Sequence, residues 1–389
     1  MDFELNEQQK EALDKSLYWW NKKYKQVFEI SGPAGSGKTT IVDFLIKNIG
    51  LQQDEVLFMA YVGKATMALT LRGNNAKTIH STIYNLVEVP IIDENGNYHK
   101  KNGRIIMKPI FEKKESLPEH IKLLVIDEGS MINRNIAEDI LSFGIPILIL
   151  GDLNQLPPVF GEPYFLINPD VILTKIMRQA ENDPIIMLSQ MALRNEFIPI
   201  GKYGSRCFVI EKENITDNML IKSDIVICGK NKTRDNINKY VRHTIKKIDK
   251  AYPTIGEKII CRQNNWNLSI NDNCFLINGL IGYIEDVYID TYNGKSICID
   301  FRPEFLDNNC FEKIPIDYNF LFSSIYKKTN KKNYLNKFEF AYAITAHLAQ
   351  GSQYEKVFVY DEKIGDKEYY RKWLYTAITR ASKYLILAK

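Results

Sequence analysis

The stretch Val27-Phe28-Glu29-Ile30-Ser31-Gly32-Pro33-Ala34-Gly35-Ser36-Gly37-Lys38-Thr39-Thr40 decides how the chain is read. Its first five residues read as a short strand, and beyond the glycine-rich turn residues 39–47 place apolar side chains at helical spacing. Between strand and helix stands G-x-x-x-x-G-K-[ST], the spacing with which such a turn wraps an anion. Glycines let the loop curl so that successive backbone N–H groups and the helix N-terminus face phosphate oxygens. Lys38 adds a point charge and the Thr39 hydroxyl can ligate Mg²⁺, so residues 32–40 are expected to hold ATP.

Outward from this segment, short apolar runs at 56–61, 123–126 and 145–150 alternate with helix-length segments, the pattern of a parallel sheet covered by helices. A first α/β domain is expected over 1–180. Within it, residues 87–116 turn β-like around Asn95-Gly96 and Asn102-Gly103, predicting an inserted hairpin. Strand candidates at 207–210, 225–228, 357–360 and 385–387 repeat the α/β signature, giving a second domain over 181–255 and 337–389. Its interruption, 256–336, is rich in β-branched and aromatic residues with turns at Asn278-Gly279 and Asn293-Gly294, and is expected to form a small β-barrel.

The 389 residues, 45% hydrophobic and 25% charged, exclude a peptide hormone, a disulfide miniprotein and a disordered chain. Lys and Arg number 51 against 47 Asp and Glu, so the net charge of +4 carries no global polyanion signal and any basic groove must be local. No apolar run approaches the ~20 residues of a membrane span, and Met-Asp-Phe-Glu-Leu-Asn-Glu is not a signal peptide. No membrane is expected as a partner, and the cytoplasm of a bacterial cell or a phage-infected host is the expected location. Six dispersed cysteines without a Cys-x-x-Cys pair are expected to be buried thiols.

Leu123-Leu124-Val125-Ile126-Asp127-Glu128 is an apolar strand ending in two carboxylates. At the C-terminal edge of a parallel sheet, Asp127 can hold the metal through its shell while Glu128 polarises an attacking water, which points to hydrolysis of ATP. Gly151-Asp152-Leu153-Asn154-Gln155-Leu156-Pro157-Pro158 follows another apolar strand. That block resembles motif III of superfamily 1 helicases, Tyr375-Thr376-Ala377-Ile378-Thr379-Arg380-Ala381 resembles their motif VI, and Thr345-Ala346-His347-Leu348-Ala349-Gln350-Gly351-Ser352 is similar to motif V. Leu5-Asn6-Glu7-Gln8-Gln9, Thr78-Ile79-His80-Ser81 and Met177-Arg178-Gln179 match further blocks, in family order, from residue 5 to 381. The nearest group is the RecD-like and phage Dda-like helicases.

The resemblance implies two RecA-like P-loop domains with parallel sheets, a hairpin insertion in the first and an SH3-like β-barrel in the second. It implies that Gln9 reads adenine, that Gln155 senses the γ-phosphate, that Arg178 and Arg380 reach it, and that Gly351 joins the nucleotide contacts. Strand contacts fall on Lys64, Thr78, His80, Thr345 and His347. The implied partners are single-stranded DNA and duplex junctions, with replication or recombination proteins beside them and a monomer as the minimal unit. Three departures stand out: Gly129 where Ala is usual, Gln353 where Glu is common, and Tyr61-Val62-Gly63-Lys64-Ala65, which resembles motif Ia only loosely.

Nucleic-acid tracks combine cations with flat side chains. Candidates are Lys100, Lys101, Arg104, Lys108, Lys113 and Lys114 in the hairpin, the basic run 327–332, and a helix over 230–250 carrying Arg234 and Arg242 with an inward stripe of Ile237, Val241, Ile245 and Ile248. Trp266 could stack a base. Together with the motifs these features predict a DNA helicase, and the resemblance implies movement 5′ to 3′. An RNA helicase, a translocase that does not unwind, a P-loop nucleotide kinase and a non-catalytic DNA-binding module remain as alternatives.

Overall fold

The computed structural model describes residues 4–389 apart from 62, 71, 93–96, 99, 102–103, 106, 159–160, 176–182, 272–273, 290–296, 307–308 and 323–334. The turns expected at 95–96, 102–103 and 293–294, the block 177–179 with Arg178, and the basic run 327–332 lie wholly or largely outside the described residues, as do the side chains of Lys64, Lys100, Lys101, Arg104, Lys108 and Trp266.

Val27–Ser31 forms the second strand of a six-stranded sheet ordered Val171–Ile172, Val27–Ser31, Ile147–Gly151, Leu123–Asp127, Val56–Ala60, Ala76–Thr78. All neighbours run parallel. The apolar runs are continuous because both faces are covered, one by Ala12, Trp19, Ile41, Val42 and Leu45, the other by Ile79, Ile83, Ile136 and Ile140. Helix Lys38–Ile49 turns Ile41, Val42 and Leu45 inward and stops at Gly50, whose left-handed φ of 70° suits a residue without Cβ.

A second six-stranded sheet runs Gly201–Tyr203, Cys207–Ile210, Ala381–Ala388, Tyr354–Tyr360, Ile225–Cys228, Ala343–Thr345, antiparallel only at its first strand. Numbering the parallel strands within each half in chain order gives first, fifth, fourth, second, third in the second half, and the same order in the first half once its sixth strand, Val171–Ile172 at the edge, is set aside. The two halves are one α/β design used twice.

Between strands of the second half lies a five-stranded antiparallel sheet, Phe311–Ile316, Ile297–Pro303, Ile281–Ile289, Lys258–Cys261, Phe338–Phe340. Register breaks at Ile284/Asp286 and Ile299/Phe301 bend it around Phe301, Phe311, Phe338 and Ile314. Phe338–Phe340 pairs with Lys258–Cys261, so this sheet reaches past residue 336, where the interruption was expected to end. In the first half, Tyr84–Pro90 pairs with Met107–Lys113 from Tyr84↔Lys113 to Pro90↔Met107; the hairpin thus starts three residues before the expected 87.

The helix expected over 230–250 is shorter and its cations are placed differently. Helix Asn231–Lys239 passes into a π-helical turn Tyr240–Ile245 and ends before Ile248. Arg234 and Arg242 are buried: Arg234 pairs with Asp235 and Glu339, and Arg242 donates from Nε to Glu257 Oε1 at 2.7 Å between the rings of Phe322 and Phe340. Their place in a basic run made them candidates for contacts to a nucleic-acid strand, but these guanidinium groups fasten the helix to the antiparallel sheet instead. Of the six cysteines, Cys207, Cys228, Cys261 and Cys274 are buried, whereas Cys298, on strand Ile297–Pro303, and Cys310, just before strand Phe311–Ile316, are half-buried.

Candidate active site

The strands of the first sheet deliver the expected chemistry to one edge, the C-terminal one, where open α/β sheets bind ligands. Gly35 and Gly37 hold left-handed φ angles of 82° and 84°. A Cβ on Gly32 would come within 2.7 Å of Ser36 Oγ and 2.9 Å of Leu173 Cβ, so the curl tolerates no side chain there. Lys38 Nζ lies over the loop, donating to the Gly32 and Pro33 carbonyls at 2.6 and 3.1 Å. Thr39 and Thr40 open the following helix, half-buried.

Asp127 closes its strand and accepts the Glu128 N–H on Oδ1 at 2.9 Å. Glu128 follows at φ 54°, a left-handed conformation that costs a branched-off side chain about 1 kcal/mol or more and marks functional turns. Burial, then the adjacent Asp127 charge, push its carboxyl up to about 7, against the opposing pull of Arg380 and Lys38. Both cations are therefore close enough to act on Glu128, although they come from different halves of the chain.

Arg380 is buried to 2% exposure and donates to the Thr376 and Ser352 carbonyls and to Thr379 Oγ1. Gly351 adjoins Ser352 with φ 69°. A cavity of about 50 Å³ separates Pro33 and Ala34 from Gln353, Tyr375 and Thr379. Ser36 Oγ, Glu128 Oε2, Ser130 Oγ and Gln155 Oε1 are buried here without a hydrogen-bond partner among the described residues. Buried polar atoms seldom go unpaired, so this cluster fits a polyanion and its cation.

Gln9 is fully buried; Oε1 accepts the Asn6 N–H in a capping box and Nε2 donates to the Ser36 carbonyl at 3.1 Å. It holds the loop, and an adenine contact by this amide requires exchanging one of those partners. Sequence reading missed a set of contacts across the halves: Tyr375 OH donates to Asp152 Oδ2 at 2.5 Å, Leu156 N to Thr376 Oγ1 at 3.0 Å, and Gln350 Nε2 to the Leu156 carbonyl at 2.8 Å. The signal was present in part, since Asp152 follows an apolar strand just as Asp127 ends one.

A cavity of about 550 Å³ lies elsewhere, between the hairpin side of the first half and the strand pair Asn265–Asn271 and Cys274–Leu276 of the inserted segment. Thr78, His80, Tyr84 and Phe111 line one wall, Phe275 and Ile277 the other. His80 packs at 5.6 to 5.7 Å from the rings of Tyr61, Tyr84 and Phe111, and burial pushes its pKa down, so it offers a neutral ring. Thr78 spends its hydroxyl as N-cap of the short helix Ile79–Ile83. Lys114 reaches the Ser81 carbonyl at the same wall. Lys64 lies in helix Gly63–Thr70, within the stretch that resembles motif Ia only loosely; a Cβ on Gly63 would overlap Ile277, so glycine admits the turn that follows strand Cys274–Leu276. Thr345 is buried at the end of its strand and His347, also neutralised by burial, faces Tyr369 OH at 3.4 Å. The structure thus brings residues 32–40, Asp127, Glu128, Gln155, Gly351 and Arg380 together at one edge, and Thr78 with His80 at another.

Comparison with known proteins agrees with this layout. The AAA domain family matches residues 19–161 and the UvrD-like helicase C-terminal domain family residues 340–388. The ATP-dependent DNA helicase Dda of Enterobacteria phage T4 is 27% identical over 448 residues, covering 97% of this chain and 97% of Dda. An uncharacterised protein of Methanocaldococcus jannaschii is 27% identical over 98% of the chain, which spans only 38% of that relative. Bacteroides Pif1 bound to single-stranded DNA shares the fold, with a TM-score of 0.56 and 18% identity over 100% of this chain and 93% of that one. One sheet that ends in the glycine loop, a second of like strand order without it, and these blocks define a superfamily 1 helicase. Within that class the chain falls with the RecD and Dda helicases.

Proposed function

We infer that this chain is an ATP-dependent DNA helicase that moves 5′ to 3′ along single-stranded DNA and parts the duplex ahead of it. One observation carries the reading: at one seam Tyr375 and Thr376 of the block that carries Arg380 bond Asp152 and Leu156 of the first half, and a small cavity sets that block against Pro33 and Ala34 of the Lys38 loop. Dda, a DNA helicase by name, matches the chain end to end.

In this reading residues 32–40 cradle the triphosphate, Lys38 leaving its loop carbonyls for the β- and γ-phosphates. Glu128, its carboxyl held near neutrality, takes the proton of the attacking water. Gln155 positions the γ-phosphate, and Arg178 and Arg380 neutralise charge developing on the transferred group, an effect worth ~10³- to 10⁵-fold where arginine fingers are studied. Mg²⁺ held by Thr39, with Asp127 in its shell, would shield the phosphate oxygens. Loss of the bridge between Lys38 and Arg380 on hydrolysis lets the seam open, and grips that alternate turn the cycle into steps.

The strand's track is the cavity between Tyr84, Phe111 and Ile277, where neutral rings suit bases and Lys77 and Lys114 suit phosphates. The hairpin Tyr84–Lys113, with Tyr98, Met107 and Phe111 exposed, acts as the wedge. The bent antiparallel sheet is read as an SH3-like barrel inserted between the two stretches of a second RecA-like domain, 181–255 and 337–389, with 1–180 as the first. The working unit is a monomer, in the cytoplasm of a bacterium or infected host, serving replication or recombination proteins. No helix among the described residues is long and apolar enough to cross a membrane.

ATP hydrolysis with and without single-stranded DNA or RNA, and unwinding of duplexes with a 5′ or a 3′ tail, test this. DNA-stimulated hydrolysis and unwinding only from the 5′ tail are expected; no stimulation refutes the function, and 3′-tail unwinding refutes the polarity. Lys38→Ala should reduce turnover by ~10²-fold or more with strand binding largely kept; unaltered turnover refutes the role of that lysine.

A further inference from the structure

We propose that the outer face of the second parallel sheet, around Phe208 and Tyr384, docks an acidic amphipathic helix of a partner protein. In each half the first parallel strand carries a phenylalanine as its second residue, Phe28 on Val27–Ser31 and Phe208 on Cys207–Ile210. Both turn to the face that holds the helix following the strand, Lys38–Ile49 in one half and Asp217–Lys222 in the other. In the first half the preceding helix, Glu7–Lys22, lies on that same face and stacks Trp19 on Phe28 with ring centroids 5.5 Å apart, so that Phe28 is 1% exposed. In the second half the preceding helix, Pro184–Leu193, packs through Ile185 and Leu188 on the opposite face, against Trp373 and Ile378 of helix Lys367–Ile378. The place over Phe208 that corresponds to that of Glu7–Lys22 is therefore filled by no helix among the described residues, and Phe208 is 37% exposed.

Parallel sheets are ordinarily covered on both faces. Here Asp217–Lys222 spans six residues where Lys38–Ile49 spans twelve, and beyond it Tyr384 is 45% exposed and Ile386 half-buried. Phe208 stands in register with Ile386, and Tyr384 with Lys356, so these side chains form one strip across adjacent strands. A cavity of about 510 Å³ follows the strip, with Met219 on its helix side. Its described lining holds three cations, Arg206, Lys222 and Lys356, and no carboxylate. Arg206 is engaged by Asp183 at 2.9 Å, which leaves the two lysines to set the charge of the rim. An apolar floor between cationic rims fits a helix whose apolar stripe is flanked by Asp or Glu. Exposed rings and cations also suit single-stranded nucleic acid. The helix is favoured because the two phenylalanines share their other neighbour: Lys202 Nζ stands 5.9 Å from the Phe208 ring centroid as Lys25 Nζ stands 5.6 Å from that of Phe28. What Phe28 has in addition is the indole of a helix.

The probe is a fluorescein-labelled peptide with the sequence of Glu7–Lys22 carrying Lys10→Glu, Lys15→Glu and Lys22→Glu, which keeps Trp19 and makes the polar face acidic. A second peptide carries Glu7→Lys, Glu11→Lys and Asp14→Lys instead. Fluorescence anisotropy is read on the full chain as wild type, as Phe208→Ser, and as Lys222→Glu with Lys356→Glu, alongside thermal midpoint, sedimentation and binding of oligothymidylate. The acidic peptide should bind saturably with a Kd of roughly 1 to 100 µM, weaken by about tenfold or more in either variant, and weaken with added salt. The variants should keep the wild-type midpoint and hydrolyse ATP within about twofold of its rate. No saturable binding to the wild type overturns the proposal, as does equal binding to the variants or equal binding of the basic peptide. Oligothymidylate affinity that falls in the lysine variant while the acidic peptide fails to bind makes the face a nucleic-acid site instead. A wild-type dimer that Phe208→Ser dissociates makes it a self-interface. The peptide readout needs neither ATP nor a strand, so its outcome is independent of the function proposed above.

Discussion

The two parallel sheets each contain an apolar strand that runs into Asp-Glu, Leu123–Asp127 followed by Glu128 and Tyr354–Tyr360 followed by Asp361 and Glu362, at the same position in the strand order. Their surroundings differ. Glu362 is saturated, taking Gly229 N–H, Lys230 N–H and Thr233 OH, while Asp361 takes the Tyr370 hydroxyl on both oxygens. Glu128 has an oxygen with no partner among the described residues, a left-handed backbone and a carboxyl pushed up by burial and Asp127. The second half also lacks the glycine loop: Cys207–Ile210 leads into Glu211-Lys212-Glu213-Asn214 where Val27–Ser31 leads into residues 32–40. The same dipeptide on the same scaffold is a fastener in one place and, in the function proposed above, a reactive group in the other, and unsatisfied hydrogen bonding tells them apart.

Exchanging each glutamate for its amide puts that contrast at most risk. Glu128→Gln should lower DNA-stimulated kcat by about 10²- to 10⁴-fold, and Glu362→Gln should leave it within about twofold. Equal effects in the ATPase assay would erase the distinction. Stability should respond the other way. Glu362→Gln weakens charge-assisted bonds to backbone N–H groups and should cost about 1 to 3 kcal/mol by denaturant titration.

Glu128→Gln should stabilise, with a defined pH window. A carboxyl whose folded pKa stands near 7, above its ordinary 4.5, binds its proton more tightly when folded. Stability contributed by that proton is complete below about 4.5 and is lost as pH rises to about 7. The gain from Glu128→Gln should therefore appear at pH 8 and vanish near pH 4.5; a gain independent of pH would assign the strain to the backbone instead. The smallest effect is kinetic: without substrate-induced shifts, the acid limb of hydrolysis should fall about tenfold per pH unit below about 7, and be absent in Glu128→Gln.

Most strands and the nucleotide edge were legible because their determinants are local: an apolar run of strand length, a glycine spacing, a terminal carboxylate. What was missed is relational. Arg234 and Arg242 belong to a basic run in the sequence, yet Glu339 and Glu257 neutralise them from an element many residues away. Phe338–Phe340 looked like the return to the second parallel sheet, but its partner Lys258–Cys261 lies across a long excursion of the chain. The Asp361-Glu362 pair matches the apolar-strand-plus-carboxylates pattern as well as Asp127-Glu128 does; only the hydroxyl of Tyr370 and the amides of Gly229 and Lys230 reveal its different use.

Leu156 belongs by chain order to one half and by packing to the other. Halves that share such a plug should melt together, because neither can loosen without wetting a side chain that the other keeps dry, and each expressed alone would carry an open socket or a bare leucine at its surface.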